Sequence, residues 1–363
     1  MTKQPPLRSA RAARAAGTLR RKLRAWEQRL MPPPAAMLEM ITAGILTQAI
    51  SVAAELGVAD QLADGPRSAA HLAKNLHVSE DGLTRMLRTL AARGIFRQDA
   101  HGRYELTALG QTLRCDTPAS MRAMARLFGS PEHREHWSHL LEAVRTGQPQ
   151  VEKVRGMDAW SYAGANAAYG AVFNDAMTSM SNLAKAAITA AYDFTPFHTI
   201  VDVGGGHGSL LAAILARTPA ARGVLYDLPA VVAGAGEPLR REKVDSRCSI
   251  EAGSFFDQVP AGGDAYILKG IIHSWTDEQV RQILGNVRAA IKPHGRLLLI
   301  GLIVPPGNTA HMSKMFDLEM LLMVGGRERT GPEHRQLLAG AGFELTAVTR
   351  TASPMCIVEA KPV

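Results

Sequence analysis

A histidine in the stretch LKGIIHSWTDE, residues 268–278, follows a run of apolar residues and precedes a tryptophan and two carboxylates. An imidazole at the end of a strand can act as a general base, bind a metal, or serve as a structural hydrogen-bonding group, because it titrates near neutral pH. His273 is therefore the first candidate for chemistry. The elements around it must decide between these roles.

A glycine-rich loop provides the second chemical signal. Its residues have the spacing D-x-G-x-G-x-G and lie between an apolar strand and an apolar helix, SLLAAILA. Such glycines allow a tight turn and close backbone approach to a ligand, and the helix N terminus offers free N–H donors. A dinucleotide site would require glycine or alanine at Ser209, so the spacing argues against NAD. The four residues are Asp202, Gly204, Gly206 and Gly208.

An acid ends the next predicted strand. Asp227 lies 23 residues after Gly204, where a carboxylate can accept hydrogen bonds from ribose hydroxyls. The alternative is that Asp227 caps the helix that begins near Pro229. Together with the glycines, this acid predicts a nucleoside-binding site.

Strands and helices alternate from residue 196 to residue 363. This alternation predicts an α/β domain in which a parallel, Rossmann-like sheet has helices on both faces and binds ligands beyond the C-terminal strand ends. The predicted strands are HTIVDVG, GVLYDL, SIEAGSF, DAYILKGII, GRLLLIGLIV, FELTAVTRT and MCIVEAKPV.

The preceding part of the chain is predicted to be mostly helical. Residues 33–110 show a winged-helix pattern, with Ser68 capping one short helix, apolar residues at helical spacing from Leu83 to Leu90, and two short strands around an Asp-Ala-His-Gly turn. Residues 111–195 are predicted to form a helical connecting region.

The net charge of +8 raises nucleic acid as a partner. Arg85 and Arg88 lie where a DNA-reading helix would place them, but that helix begins with two acids. Nine basic residues and one acid lie in the first 30 residues, which leaves 32 of each sign in the rest. The sequence thus predicts a basic, flexible tail at residues 1–32, and it argues against nucleic acid as a partner of the neutral body. A contact to an anionic surface and a transit peptide are alternatives for the tail.

The chain is expected not to span a membrane, because charged and amide residues interrupt its most apolar run, Ala35–Val58. Its cysteines are odd in number and lack metal-ligand spacing, which predicts a reducing, cytoplasmic location. They are Cys115, Cys248 and Cys356.

Five motifs in order, DVGGGHG, LYDLP, GSFFDQVP, LKGIIHSWTDE and GGRERT, resemble those of the class I S-adenosylmethionine-dependent O-methyltransferases of the caffeate, isoflavone, acetylserotonin and bacterial polyketide-tailoring type. The similarity runs from about Met37 to the C terminus. It implies a winged-helix dimerisation domain, a homodimer, S-adenosylmethionine as cofactor, and methyl transfer to a hydroxyl of an aromatic or polycyclic small molecule.

The resemblance also implies roles for residues of the donor site. The glycine loop would contact the methionine part of the donor, Asp227 the ribose, and Lys269 the nucleoside. Ser254 and Phe255 would flank the adenine and Trp275 would pack on it, although many relatives carry an acid where Ser254 stands.

His273 matches the general base of that family. A sulfonium methyl is already activated, so the enzyme must supply an in-line oxygen nucleophile and exclude water. A phenol is mostly protonated at neutral pH, and an imidazole is a suitable proton acceptor, so no metal is needed. The alternative is a structural histidine bonded to the backbone.

Two departures from the family concern the support of this imidazole. Ser274 stands where relatives usually have Asp or Asn, and Gly301 where they often have an acid. Glu328 in GGRERT is then the acid that would hold the imidazole tautomer. The alternative is an ion pair of Glu328 with Arg327 or Arg329.

The resemblance and the residue types together predict an acceptor pocket rich in methionine, which tolerates variation in the shape of a flat ligand. Each member could equally be ordinary core. The predicted lining residues are Phe173, Met177, Met180, Met320 and Met323.

Three other functions stay open at this point. The same fold could be diverted to hydroxylation or decarboxylation of a similar acceptor. It could methylate nitrogen, carbon or sulfur. A winged-helix regulator that senses the nucleoside is the third, and it would require salt-dependent DNA binding.

Overall fold

The computed structural model describes residues 15–19, 23, 26 and 30–363. The described residues divide into two compact units by their contacts. The first unit contains residues 15–19, Leu140–Lys153 and Ser181–Val363. The second unit contains residues 23, 26 and 30–139 together with Val154–Met180. All nine basic residues of the predicted tail lie outside the described residues. The domain boundaries at residues 32, 110 and 195 stay predictions.

The chain from residue 33 to residue 191 is mostly helical, as predicted, with one short hairpin. Its elements in chain order are α1 Pro33–Ile41, α2 Ala43–Glu55, α3 Val58–Gln61, α4 Ala69–Leu76, α5 Glu80–Ala92, β1 Phe96–Gln98, β2 Tyr104–Leu106, α6 Ala108–Gln111, α7 Arg122–Gly129, α8 Pro131–Ser138, α9 Leu140–Thr146, α10 Val151–Arg155, α11 Ala159–Ala165 and α12 Ala167–Ala191.

The winged-helix pattern is present in the second unit. The Ser68 hydroxyl accepts a hydrogen bond from the His71 backbone N–H and so caps α4. The α5 helix buries Leu83, Leu87 and Leu90, because residues three and four apart share one helix face. The antiparallel β1–β2 hairpin then follows, which confirms the predicted order of elements.

The helices α1 and α2 carry apolar side chains on their exposed surface. The stretch Pro33–Glu55 is long and apolar enough to cross a membrane by length and composition. One such stretch near the N terminus is weak evidence for a span, and its apolar surface equally suits contact with another protein. Its most exposed members are Met37, Leu38, Met40, Ile41 and Ile45.

A seven-stranded sheet forms the centre of the first unit, in the order β10-β11-β7-β6-β3-β4-β5. The first five strands along the chain run parallel, β11 runs antiparallel to β7, and β10, which pairs antiparallel with β11, runs in the direction of the first five. The strands are β3 Thr199–Val203, β4 Arg222–Asp227, β5 Cys248–Ala252, β6 Ala265–Lys269, β7 Arg296–Gly301, β10 Phe343–Arg350 and β11 Cys356–Pro362.

The antiparallel end of the sheet differs from the wholly parallel sheet that the alternation predicts. Five residues separate β10 from β11. Such a short connection can only reverse the chain, because a parallel crossover needs a dozen residues or more. The result is a mixed Rossmann-like sheet.

The sheet separates two hydrophobic cores, because successive strand residues point to opposite faces. Ile200 belongs to one core, whereas Val201 and Val203 belong to the other. Asp202 projects on the same side as Ile200, and it is 1% exposed. A carboxylate is thereby buried near the C-terminal end of β3.

Helices and short turns connect the strands and cover the sheet. Two further short strands, β8 and β9, pair in parallel outside the main sheet. These elements are α13 Ser209–Arg217, α14 Pro229–Val232, α15 Gly236–Arg241, the 3₁₀ turns Asp245–Arg247 and Ile272–Ser274, α16 Asp277–Ala290, β8 Ile303–Val304, α17 Ser313–Val324, β9 Arg329–Thr330 and α18 Gly331–Gly340.

Candidate functional site

The glycine loop follows β3 and turns directly into α13. Gly204, Gly206 and Gly208 all have positive φ, a conformation that favours glycine. A Cβ on Gly204 would lie 2.4 Å from the Ile271 side chain. The α13 helix has no side-chain cap at its N terminus, so its first N–H groups are available to a ligand.

Asp227 holds the glycine loop. Its Oδ2 accepts a hydrogen bond from the Gly206 N–H at 2.8 Å, and its Oδ1 accepts one from the Leu228 N–H at 2.7 Å. The parallel pairing of β3 with β4 brings these residues together. A carboxylate oxygen can accept a second hydrogen bond, so this geometry is compatible with ribose hydroxyls.

Asp202 is a buried carboxylate whose two oxygens have no hydrogen-bond partner among the described residues. Burial raises the pKa of Asp202 to about 7, the nearby Asp227 adds to the rise, and the Lys269 ammonium opposes it. An acceptor group in this state fits a cationic ligand group, such as the ammonium of an amino acid.

Lys269 ends β6 beside this carboxylate. Its Nζ donates a hydrogen bond to the Ser181 hydroxyl on α12 at 2.8 Å. Burial lowers the pKa of Lys269, and Asp202 opposes that change. The amine thus lies at the predicted donor site, in contact with a serine that the sequence did not single out.

An aromatic group borders the same edge of the sheet. The Phe255 and Trp275 ring centroids are 6.0 Å apart, and those of Phe256 and Trp275 are 4.8 Å apart at 90°. The Ser254 hydroxyl accepts a hydrogen bond from the Phe256 N–H, and the Asn286 side chain donates to the Phe255 carbonyl. These bonds fix the loop that is predicted to face adenine.

His273 lies in the 3₁₀ turn that follows β6, close to the glycine loop through its neighbour Ile271. Its Nδ1 is 2.9 Å from Glu328 Oε1. The imidazole is 28% exposed, whereas the Glu328 side chain is 3% exposed. Since an ionised carboxylate only accepts hydrogen bonds, the contact favours the neutral tautomer that has its proton on Nδ1 and leaves Nε2 as an acceptor nitrogen.

Glu328 contacts the histidine and neither of its neighbouring arginines among the described ion pairs. Arg327 pairs with Glu333 at 2.6 Å, and Arg329 pairs with Asp277 at 2.6 Å. The alternative of a Glu328–arginine pair is therefore not the geometry of the structure.

Asp317 on α17 holds the backbone of the segment that carries Glu328. It accepts a hydrogen bond from the Glu328 backbone N–H at 2.9 Å. Burial raises the pKa of Asp317, and the charges of Glu328 and Glu333 add to the rise. The sequence offered no local signal for this contact, because it joins two elements.

Open space lies beside the imidazole at Gly301. A Cβ added there would meet nothing within 4 Å. A cavity of about 20 Å³ is lined by this glycine, His273, Glu328 and His334, among others. That volume is sufficient for one water molecule. Ser274, the other departure from the family, is buried.

The predicted acceptor residues fall into two groups. Phe173, Met177 and Met180 lie on α12 in the second unit, where Phe173 packs on Trp160 and Tyr169. The other two methionines lie on α17 in the first unit, with Met323 buried. The pocket that would combine the two groups stays a prediction. The α17 members are Met320 and Met323.

Comparison with known proteins adds the family. The model of the O-methyltransferase domain matches residues 137–344, and that of the O-methyltransferase dimerisation domain matches residues 38–115. The exposed apolar stretch of α1 and α2 falls largely within the latter match.

Three proteins with similar sequence or structure are informative. The phenazine O-methyltransferase PhzM of Lysobacter antibioticus is 40% identical over 92% of this chain and 97% of its own. The structure of CalO1, a methyltransferase of calicheamicin biosynthesis with S-adenosylhomocysteine bound, matches with a TM-score of 0.83 and 35% identity over 91% and 98% of the two chains. The aclacinomycin 10-hydroxylase RdmB of Streptomyces purpurascens is 33% identical over 85% and 84%.

The glycine loop, the orphaned Asp202 carboxylate and Asp227 fit a nucleoside that carries an amino acid. The family model covers more than half of the chain, and the similarity to PhzM extends over nearly all of it. The chain therefore belongs to the S-adenosylmethionine-dependent O-methyltransferases, with an N-terminal dimerisation domain.

Proposed function

We propose that the protein transfers the methyl group of S-adenosylmethionine to a hydroxyl of an aromatic or polycyclic small molecule, with His273 as general base. The hydrogen bond of 2.9 Å between His273 Nδ1 and the buried Glu328 carries this proposal. It leaves Nε2 as the proton acceptor, beside the loop that would hold the donor.

The donor, when bound, supplies an electrophilic sulfonium methyl. The Gly204–Gly208 loop would hold its methionine part, Asp202 its ammonium and Asp227 its ribose. Ser254, Phe255 and Trp275 would enclose the adenine, and Lys269 would approach the nucleoside. These roles are supported by the placement of the residues at the C-terminal edge of one sheet.

His273 would act on the acceptor. Its Nε2 takes the hydroxyl proton as the oxygen forms its bond to the methyl carbon, and the carbon–sulfur bond breaks. Glu328 stabilises the imidazolium that results, because the carboxylate accepts the Nδ1 hydrogen bond in both protonation states. The step needs only a base and an activated methyl, so metal independence is part of the proposal.

The acceptor would contact Phe173, Met177 and Met180 of α12 together with Met320 and Met323 of α17. One relative supports the class of acceptor, since PhzM is named for a phenazine. Flexible thioethers would accommodate a flat ring system. Which hydroxyl is methylated depends on this lining.

A homodimer formed through the N-terminal domain is also part of the proposal. Met37, Ile41 and Ile45 are each more than half exposed, on helices that fall within or beside the match to the dimerisation domain. Apolar surface of this kind is stable when a partner covers it. A cytoplasmic location is supported by three cysteines that form no disulfide.

The test is formation of S-adenosylhomocysteine and methylated product with a panel of hydroxylated phenazines, naphthoates and anthracycline-like compounds. We expect His273→Gln to lower kcat by about 10²–10⁴-fold and Glu328→Gln by a smaller factor, because the base is lost in one and only its support in the other. Both variants should bind S-adenosylhomocysteine like the wild type.

The matched control is His294→Gln, which removes an exposed imidazole just before the N-terminal end of β7. It should keep full activity. Wild-type rates in the His273→Gln variant would contradict the base assignment, and an absence of S-adenosylhomocysteine with every acceptor would contradict methyl transfer. Undiminished activity after treatment with EDTA is expected.

Hydroxylation of a similar acceptor is the second candidate, and the similarity to RdmB favours it. In that reaction the nucleoside would be bound without transfer of its methyl. Oxidised product without any S-adenosylhomocysteine would support this candidate and exclude the first.

A further inference from the structure

Arg329 carries a buried charge next to the proposed base. Its side chain is 2% exposed, at the start of β9 and one residue after Glu328. A guanidinium removed from water is stable only where nearly all of its donors find acceptors. The groups that accept hydrogen bonds from the guanidinium therefore show which parts of the structure Arg329 fixes.

The acceptors of Arg329 lie on both sides of His273. Its Nη1 donates to the Ile272 carbonyl at 2.7 Å, and its Nη2 donates to the Trp275 carbonyl at 3.2 Å. Nε and Nη2 both donate to Asp277 Oδ1, at 3.1 and 2.6 Å. One planar group thus joins the carbonyl of the first residue of the 3₁₀ turn and the carbonyl of the residue after the turn to the first residue of α16.

The same segment touches the turn at two further points. A Cβ on Gly326 would lie 2.0 Å from the His273 carbonyl oxygen, so the glycine packs directly on that peptide. Glu328 then bonds the imidazole. Gly326 therefore contacts the backbone of the histidine turn, Glu328 its ring, and Arg329 the carbonyls on either side of His273.

We propose that Arg329 is a positioning residue for His273, which fixes the turn so that Nδ1 meets Glu328 and Nε2 faces the acceptor. The proposal rests on the proposed function of His273. A lysine cannot replace this arginine, because a single ammonium cannot reach the Ile272 and Trp275 carbonyls and the Asp277 carboxylate in the fixed plane of a guanidinium.

The first measurement needs no acceptor and no turnover. In ¹⁵N-histidine-labelled protein, the Nδ1–H of His273 bonded to Glu328 should give a downfield proton resonance, which His273→Gln identifies by its loss. We expect Arg329→Lys to broaden or remove this resonance. The matched variant Arg327→Lys should keep it, because Arg327 is half exposed and pairs with Glu333.

The second measurement uses turnover with S-adenosylmethionine at saturation. Arg329→Lys should lower kcat by about 10- to 100-fold and change its pH profile, with a smaller effect on KM for the acceptor. The kcat of Arg329→Lys should fall much less with an acceptor whose hydroxyl is already ionised than with a weakly acidic acceptor. A purely structural defect would lower both rates by the same factor.

Asp277→Asn keeps the proposal testable if Arg329→Lys does not fold. It weakens the outer contact of the guanidinium and leaves the arginine in place, so the resonance should weaken in the same direction. An unchanged resonance and pH profile in these variants would overturn the positioning role. An inactive wild type with a normal resonance would instead contradict methyl transfer alone.

Discussion

At the scale of single residues, Asp202 and His273 depend on their surroundings in opposite ways. Asp202 is buried without a hydrogen-bond donor among the described residues, and its raised pKa follows from burial. His273 is partly exposed and receives its orientation from Glu328. The proposed ligand ammonium would therefore supply the hydrogen-bond donor that Asp202 lacks, whereas His273 is already oriented by Glu328.

The pKa of about 7 at Asp202 predicts that donor binding depends on pH. The ligand ammonium needs an ionised carboxylate, so below pH 7 binding must release a proton, and the affinity for S-adenosylhomocysteine should fall by about tenfold per pH unit. Isothermal titration calorimetry in buffers of different ionisation enthalpy should count nearly one released proton at pH 6.

Asp202→Asn is the informative variant for this prediction, because it cannot ionise. Its affinity should be weaker at pH 8 and nearly independent of pH. The exposed Asp257→Asn provides the control and should follow the wild type. A wild-type affinity that is constant from pH 6 to pH 8 would argue against the Asp202–ammonium contact.

At the scale of elements, local patterns predicted the elements of the proposed donor site. The glycine loop and the strands that flank it were predictable, because each depends on residues that are neighbours along the chain. The His273–Glu328 pairing was also predicted, from the resemblance rather than from any local pattern.

The contacts that support His273 could not be predicted in the same way. Arg329 contacts Ile272 and Asp277, which are 57 and 52 residues away along the chain. The pairing of β8 with β9, two residues each, sets its position, and such short strands have no periodicity to detect. The reversed direction of β11 was missed for a related reason, since alternation does not specify direction.

Gly326 and Gly331 give a matched pair at this scale. A Cβ on Gly326 would lie 2.0 Å from the His273 carbonyl oxygen, whereas one on Gly331 would meet nothing within 4 Å. Gly326→Ala should therefore displace the histidine turn, at a cost of about 1–3 kcal/mol and most of the activity. Gly331→Ala should be neutral or slightly stabilising.

Thermal unfolding and kcat of the two variants check this prediction. Equal behaviour of the two alanines would mean that the segment can move away from the turn without consequence. Loss of kcat in Gly326→Ala with retained binding of S-adenosylhomocysteine would separate an effect on the base from an effect on the donor site.

At the scale of the whole molecule, buried histidines make stability depend on pH. The second unit contains two buried histidines on α8, each of which accepts a hydrogen bond at Nε2. Trp137 donates to His133 at 3.0 Å, and Arg155 donates to His136 at 3.0 Å. Both imidazoles must therefore be neutral at Nε2 for these bonds to form.

Protonation of this pair should destabilise the protein in acid. Burial lowers the pKa of His133 to about 4, and burial followed by the charge of Arg155 lowers that of His136 to about 4. In the unfolded chain both titrate near 6.5. Above pH 6.5 both histidines are neutral in the folded and the unfolded chain, so they do not lower the free energy of unfolding. As the pH falls from 6.5 towards 4, only the unfolded chain takes up the protons, and the free energy of unfolding falls by on the order of 3 kcal/mol for each histidine.

Denaturant unfolding at pH 7.5, 6, 5 and 4.5 measures this slope. The raised pKa of Asp202 makes the free energy of unfolding rise as the pH falls from 7 to 4, which opposes the effect of the histidines. The comparison between variants is therefore more informative than the wild type alone. His136→Gln keeps an acceptor oxygen for Arg155 but cannot titrate, so its stability should fall less in acid. The exposed His101→Gln should retain the wild-type slope, and equal slopes in all three proteins would mean that the buried pair does not govern acid unfolding.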